Sequence, residues 1–204
     1  MKFIKWKSLV ITSLVCLLPI LFGIFVWDKL PETMAIHFNI HNEPDNFASK
    51  GFVVFFLPVF MMLMQIFCCF VNDFQTRKYG KSKKVERVVK WIIPFMSIVL
   101  QIATIAFSMG KAVDIRKVAV LIVGVVFLLI GNYMPKLNYV KNWNVDTEKA
   151  RKINRFLGIE TVIMGVLFII SIFLPPIYSL SCLFLLIPYI IIGVAYGTIQ
   201  SRKK

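Results

Sequence analysis

The two histidines of the chain stand four residues apart, at His37 and His41. On a helix this spacing would place both imidazoles on one face, where they could share a metal ion with nearby carboxylates. Three carboxylates lie in the same stretch: Glu32, Glu43 and Asp45. Prolines and turn residues interrupt the stretch, so we do not expect a regular helix, and the His-Glu-x-x-His order of metalloproteases is absent. We therefore predict no metal and no cofactor, and a loop held by hydrogen bonds.

Glu160 is the one ionisable residue within an otherwise apolar stretch. An acid at membrane depth is a functional candidate. Arg155 lies about one helical turn away, however, so we expect a carboxylate that pairs with a cation or reaches the interface. No Ser/His/Asp set, glycine-rich phosphate loop or chain of proton-transferring acids stands out, and the sequence does not predict an enzyme.

The uncharged polar and sulfur-bearing residues of the apolar runs have simpler interpretations. Gln65, Gln101 and Asn132 are predicted to hydrogen-bond between helices. The four cysteines lie in apolar runs without metal-ligand spacing to a histidine, and we expect them to be small buried apolar side chains. They are Cys16, Cys68, Cys69 and Cys182.

The elements that carry these residues are membrane spans. Hydrophobic residues make up 58% of the 204-residue chain and the mean hydropathy is +0.77, which is too apolar for an ordinary soluble domain. The last 40 residues before the basic end, 161–200, hold no charge, and a single helix of that length would be about 60 Å long, twice the thickness of the hydrocarbon layer. Pro175-Pro176 supplies a break. The sequence predicts an all-α polytopic membrane protein with one domain, 1–204, and a bundle of six transmembrane helices, at about 8–27, 51–72, 91–110, 118–135, 156–174 and 178–199.

The distribution of basic residues predicts the orientation of the spans. Of the 24 lysines and arginines, 19 lie in the two termini and the second and fourth connections, and 5 lie on the other side. Cytoplasmic segments carry the excess of positive charge, so both termini are predicted to be cytoplasmic and the loop 28–50 extracellular. Net charge is +14, but the basic residues form short blocks between apolar runs. They predict contact with anionic lipid rather than with nucleic acid.

The extracellular loop also has an ordered signature. It reads Leu30-Pro31-Glu32, Ile36-His37-Phe38-Asn39, a turn at Asn42-Glu43-Pro44-Asp45, and Ser49-Lys50. In order and spacing it resembles the loop domain of small bacterial membrane proteins grouped with the Sdp-type toxin-immunity proteins (SdpI-like). Family members usually carry Gly where this chain has Asn42, and Asn is the next-best residue for a left-handed turn position.

A second stretch, Gly131-Asn132-Tyr133-Met134-Pro135-Lys136, resembles the family signature Gly-Asn-x-x-Pro-Lys. The Arg-Thr-Pro-Trp core that follows it in the family is missing here. Asn138, Trp143 and the run from Asn154 to Gly158 are interpreted as remnants in a shortened cytoplasmic loop, 136–155.

The resemblance implies an immunity protein in the bacterial cell membrane, which protects the cell against a secreted antimicrobial peptide toxin. It also implies that the acidic outer loop, together with Asp28, meets a cationic peptide. The residues implied in toxin binding are Glu32, His37, Asn39, His41, Asn42, Glu43, Pro44, Asp45 and Lys50. Two alternatives stay open: a signalling protein whose basic loops bind a cytoplasmic transcriptional regulator, and a small transporter unrelated to immunity.

Overall fold

The structure of the chain, a computed structural model, describes residues 4–79, 83–136 and 147–202, and most of them are helical. Helices and strands follow in the order α1 Trp6–Val15, α2 Leu18–Phe25, β1 Thr33–Phe38, β2 Pro44–Ser49, α3 Leu57–Tyr79, α4 Lys83–Ser108, α5 Ile115–Tyr133, α6 Thr147–Ser171, α7 Pro176–Phe184 and α8 Leu186–Arg202. A π-helical turn, Phe52–Phe56, precedes α3, and short 3₁₀ turns occupy Trp27–Lys29 and Met134–Lys136.

Six helical stretches of the described chain are long and apolar enough to cross a membrane. They are Trp6–Phe25, Phe52–Lys78, Lys84–Ser108, Ile115–Lys136, Glu148–Ser171 and Pro176–Gln200. The prediction of a helical membrane protein with six spans is thereby confirmed. The side of the membrane on which the termini lie stays a prediction.

Prolines set most of the breaks between helices, because proline lacks the backbone N–H that a helix interior needs. Pro19 lies at the start of α2, just after the interruption at Cys16, and Pro176 is the first residue of α7 after the predicted Pro-Pro break. Pro94, in contrast, lies inside α4, which continues through it.

The chain forms two compact units, 1–74 with 89–119 and 75–88 with 120–204. The core of the first unit joins α2, β1, the π-helical turn and α4 through Val26, Leu30, Met34, Val53, Val54 and Ile105. The core of the second unit contains Met164, Phe168 and Cys182, with Phe127 and Tyr189 packed against them. That the whole chain acts as one domain stays a prediction.

The π-helical turn creates a hydrogen bond between α4 and the start of α3. In a π-helix the carbonyl of Val53 would accept the N–H five residues on, but that residue is Pro58, which has none. The side chain of Gln101 donates to this carbonyl instead, at 2.7 Å. The buried amide of Gln101 thus bonds a backbone carbonyl that the proline leaves without a donor. This agrees with the prediction that Gln101 hydrogen-bonds between helices.

Candidate functional site

The predicted extracellular loop folds as a β-hairpin, which the sequence analysis did not predict. Strands β1 and β2 pair antiparallel, with Thr33 opposite Ser49, Ala35 opposite Phe47 and Phe38 opposite Pro44. The register is irregular on both sides of His37. Strand β1 has an extra residue between Ala35 and His37, and β2 has an extra residue opposite the step from His37 to Phe38. These two irregularities offset each other, so the pair of Phe38 and Pro44 has the same register as the pair of Thr33 and Ser49.

Asn39 organises the tip of the hairpin. Its backbone N–H donates to the carbonyl of Glu43 at 2.9 Å, and its side-chain oxygen accepts the N–H groups of His41 and Glu43 at 2.9 and 3.0 Å. Its amide nitrogen donates to the carboxylate of Glu43 at 2.8 Å. Such side-chain to backbone bonds are why Asn favours turns. They match the prediction of a loop held by hydrogen bonds.

Asn42 joins this tip to the segment that begins α5. Its φ is +64°, the left-handed region that Gly and Asn tolerate best. Its side-chain nitrogen donates to the carbonyl of Val113 at 3.2 Å, and its oxygen accepts the N–H of Ile115 at 2.7 Å. The first N–H groups of a helix have no partner within the helix, so Asn42 caps α5 from 73 residues away.

The hairpin rests on the first unit through the start of β1. Met34 and Ala35 are only 1% and 4% exposed, and Met34 belongs to the core cluster with Val53, Val54 and Ile105. Further along, the ring of Phe38 meets that of Phe107 edge to face, with centroids 4.8 Å apart. The strand β2 is more exposed along its length. One strand is therefore anchored and the other faces outward.

The charged residues of the hairpin form two local pairs. Lys50 Nζ lies 2.8 Å from Glu32 Oε1 and 4.8 Å from the ring centroid of Trp27, which combines an ion pair with a cation–π contact. His37 Nδ1 lies 2.5 Å from Asp45 Oδ1, with both side chains largely exposed. The pairs hold the two strands together and leave carboxylates on the surface.

The structure does not gather the histidines and carboxylates into a metal centre. His37 pairs with Asp45, while the backbone of His41 binds Asn39. In the parts of the chain that the structure describes, no three histidine, cysteine or acidic side chains come together as metal ligands. The absence of a metal stays a prediction.

The second signature is a close contact between α5 and α6. A Cβ on Gly131 would lie 2.7 Å from the carbonyl oxygen of Gly158, and one on Gly158 would lie 3.1 Å from Pro135 Cδ. Seven residues away on each helix, a Cβ on Gly124 would lie 3.0 Å from the carbonyl oxygen of Gly165. Small residues let helix backbones approach closely in membranes. Gly131 therefore packs the two helices together, with Pro135 Cδ close to Gly158, whereas Asn132 and Lys136 are exposed, as is most of Pro135.

Glu160 lies on α6 in the second unit. Its Oε2 atom is buried without a hydrogen-bond partner, and a Cβ on Gly193 of α8 would lie 3.4 Å from it. No cation pairs with Glu160 among the described residues. The expected ion pair is thus not formed there. Asn138 and Trp143, the other remnants of the second signature, lie outside the described residues.

A buried ion pair between α3 and α4 was missed from sequence. Lys90 Nζ lies 2.5 Å from Asp73 Oδ1, with side chains only 1% and 0% exposed. The sequence places both residues in the polar connection 73–90, where charged side chains are expected to face solvent. In the structure Asp73 lies in α3 and Lys90 in α4. Nearby, the Gln65 amide donates to Thr12 of α1 and to the Lys90 carbonyl, each at 2.8 Å. These polar contacts link α1, α3 and α4.

Comparisons with known proteins agree with this arrangement. Residues 14–62, which include α2 and the whole hairpin, match a family model described as Domain of unknown function (DUF1648). The chain is 26% identical over 173 residues to the "Immunity protein SdpI" of Bacillus subtilis (strain 168), covering 81% of each chain. No solved structure matches it. With its six spans, this makes it a multi-pass protein of the cell membrane. The resemblance to SdpI-like proteins is confirmed, and the chain is a homologue of the SdpI immunity protein with a DUF1648 region in its first part.

Proposed function

We propose that the protein is an immunity protein that protects its own cell against a secreted peptide toxin. The observation that supports this most is the similarity to SdpI, which extends over 81% of both chains and is not confined to one motif. The membrane-spanning helices and the absence of a catalytic set in the sequence favour action by binding rather than by catalysis.

The hairpin is the element best suited to meet such a toxin. It lies on the side that the basic residues predict to be extracellular, where a secreted peptide arrives. Hydrogen bonds within the tip and the Asn42 cap on α5 hold it in one shape before any ligand binds, which reduces the entropy that binding costs.

The charge of the hairpin region favours a cationic partner. Four carboxylates and two lysines lie in 28–50, so this segment is at −2 in a chain whose net charge is +14. The neighbouring segment 111–117 is basic, but Arg116 and Lys117 at the start of α5 both approach Asp114, at 3.4 and 3.9 Å. The carboxylates of Glu43 at the tip and Asp45 on the exposed strand would attract the basic residues of a peptide and steer its approach.

The test uses a deletion strain and the peptide fraction of the spent medium from the strain that carries the gene. The deletion strain should stop growing at dilutions that the parent tolerates, and the intact gene should restore growth. Exchanging Glu43 and Asp45 for Asn should lower the tolerated concentration about 2- to 30-fold, because each exposed charge pair contributes about 0.2–1 kcal/mol and two are removed. Equal growth of the deletion and parent strains would remove the proposal.

We also propose that the protein reports toxin binding to a cytoplasmic regulator, and α4 is the element that favours this role. Ile105 and Phe107 near one end of α4 contact the hairpin, and Lys90 near the other end forms the buried pair with Asp73. A ligand that changed the conformation of the hairpin would therefore act on the position of one continuous helix, α4. Affinity purification of the protein with and without the peptide fraction tests it. Recovery of anionic lipid alone in both cases would refute signalling and leave immunity intact.

A further inference from the structure

The exposed strand β2 has a free edge. The N–H of Lys50 donates to the carbonyl of Glu32 at 2.9 Å, so the backbone N–H of Lys50 points across the hairpin toward β1. In an antiparallel pair, bonded and non-bonded pairs alternate. Met34 and Ala48 are therefore the next bonded pair, whereas Phe47 and Ser49 direct their N–H groups away from β1.

The outward groups of β2 lack a strand partner. The N–H of Phe47 is bound at 2.8 Å by the side-chain oxygen of its own neighbour, Asn46. Outside the β1–β2 ladder, the described part of the chain shows no hydrogen bond to the Phe47 carbonyl and none from the Ser49 N–H. Pro44, which has no N–H, marks the other end of the strand, so the usable edge covers Asp45 to Ser49.

The other features of this edge also suit an incoming strand. Phe47 is 55% exposed and lies on the face of the hairpin opposite to buried Met34, because neighbouring positions of a strand alternate between faces. The opposite edge, on β1, is covered at Met34 and Ala35. At the level of Met34 and Ala35, β2 therefore offers both backbone groups and an apolar side chain to a partner, whereas β1 does not.

We propose that β2 binds an extended segment of the peptide toxin as a third strand. The proposal rests on the immunity function above and names how recognition occurs. The segment would donate to the Phe47 carbonyl, accept from the Ser49 N–H and displace the Asn46 amide from the Phe47 N–H. Main-chain bonds of this kind give affinity, and side chains give specificity. An apolar residue beside Phe47 and a basic residue near Glu43 or Asp45 would complete the match.

The test compares two substitutions at one position in the complemented deletion strain, with the peptide fraction of the spent medium as the probe. Phe47→Pro removes the outward N–H and leaves the bonds to β1, whereas Phe47→Ala keeps the N–H and removes the ring. We expect Phe47→Pro to lower the tolerated concentration at least tenfold and Phe47→Ala about threefold or less, at matched membrane levels. Equal losses in both variants would overturn the backbone pairing.

A cross-linking measurement does not depend on how well the proline variant folds. A benzoylphenylalanine placed at Phe47 should capture the peptide on irradiation. The same group at Phe173, an 83% exposed residue two positions after the end of α6 that is also predicted to be extracellular, should not capture it. Peptide captured equally at both positions, or capture of a second copy of the chain at Phe47, would overturn the strand proposal. If the wild-type protein gives no protection, the immunity function itself fails.

Discussion

Substituting Asn42 should cost free energy for two separate reasons, the loss of side-chain hydrogen bonds and the strain of a left-handed backbone. Its side chain makes two short hydrogen bonds, to the Val113 carbonyl before α5 and from the Ile115 N–H at the start of α5, besides a longer one of 3.4 Å from the Arg116 N–H, and its backbone is left-handed. Asn42→Gly removes the two bonds and keeps an easy backbone, since Gly adopts positive φ readily. Asn42→Ala removes the same bonds and adds the strain of a Cβ at positive φ.

The structure sets the size of each part. Two lost hydrogen bonds cost about 0.5–1.5 kcal/mol each, so Asn42→Gly should weaken the contact by about 1–3 kcal/mol. A left-handed Ala costs about 1–2 kcal/mol more. The difference between the two variants corresponds to about 5- to 30-fold in the equilibrium between closed and open hairpin.

Hydrogen exchange of the purified protein measures this opening at the N–H of Ile115, which Asn42 caps. Exchange should be faster in Asn42→Gly than in the wild type, and faster again in Asn42→Ala by the factor above. Asn46→Ala is the control, because among the residues that the structure describes the Asn46 side chain accepts a hydrogen bond only from the N–H of Phe47, its neighbour in β2. Equal exchange at Ile115 in all four proteins would show that the cap contributes nothing.

Three further results are expected. Gly131→Ala should destabilise the protein by about 1–3 kcal/mol in a denaturant titration, because the added Cβ would meet the backbone of α6. Gly51→Ala, where the Cβ would enter open space, should not destabilise it, and equal effects of the two variants would refute the packing role of Gly131. Lys90→Met should lower the free energy of unfolding by about 3–5 kcal/mol, since it leaves the Asp73 carboxylate buried without its cation, and adding Asp73→Asn should recover part of that loss. An unchanged denaturation midpoint in Lys90→Met would refute this role of the pair. A cysteine at Asn46 in a cysteine-free background should react with an impermeant maleimide in intact cells, and labelling only after lysis would reverse the topology.

The sequence predicted the elements that follow from composition over a long window. Five uncharged runs separated by charged blocks, the last of them 40 residues long and broken at Pro175-Pro176, can form little other than six membrane helices, so local information was sufficient. The turn chemistry at Asn42 and the break at Pro175 were predictable for the same reason. Each depends on what one or two residues can do with their own backbone.

The hairpin was not predictable because its strands lack a regular alternation. Two offsetting irregularities disturb the register around His37, and β2 begins at a proline. What holds β1 in place is distant in sequence: Met34 packs on Ile105 in the core cluster, and Asn42 caps α5. Tertiary contacts, rather than propensity, form this sheet.

The buried pair of Asp73 and Lys90 could not be predicted from the sequence, because charged residues between apolar runs normally lie in solvent. Seventeen residues apart, the two side chains meet only when α3 and α4 pack together. The glycine contacts, in contrast, left a signal in the sequence. Gly124 and Gly131 are seven residues apart on α5, as are Gly158 and Gly165 on α6, and such matched spacing is typical of closely packed helices.

The most direct test of the proposed immunity is the growth of three strains in the peptide fraction of the spent medium: the parent, the deletion strain, and the deletion strain complemented with the intact gene. The account predicts that the deletion strain alone is inhibited and that complementation restores the tolerance of the parent at matched membrane levels. Inhibition that is equal in all three strains would contradict it.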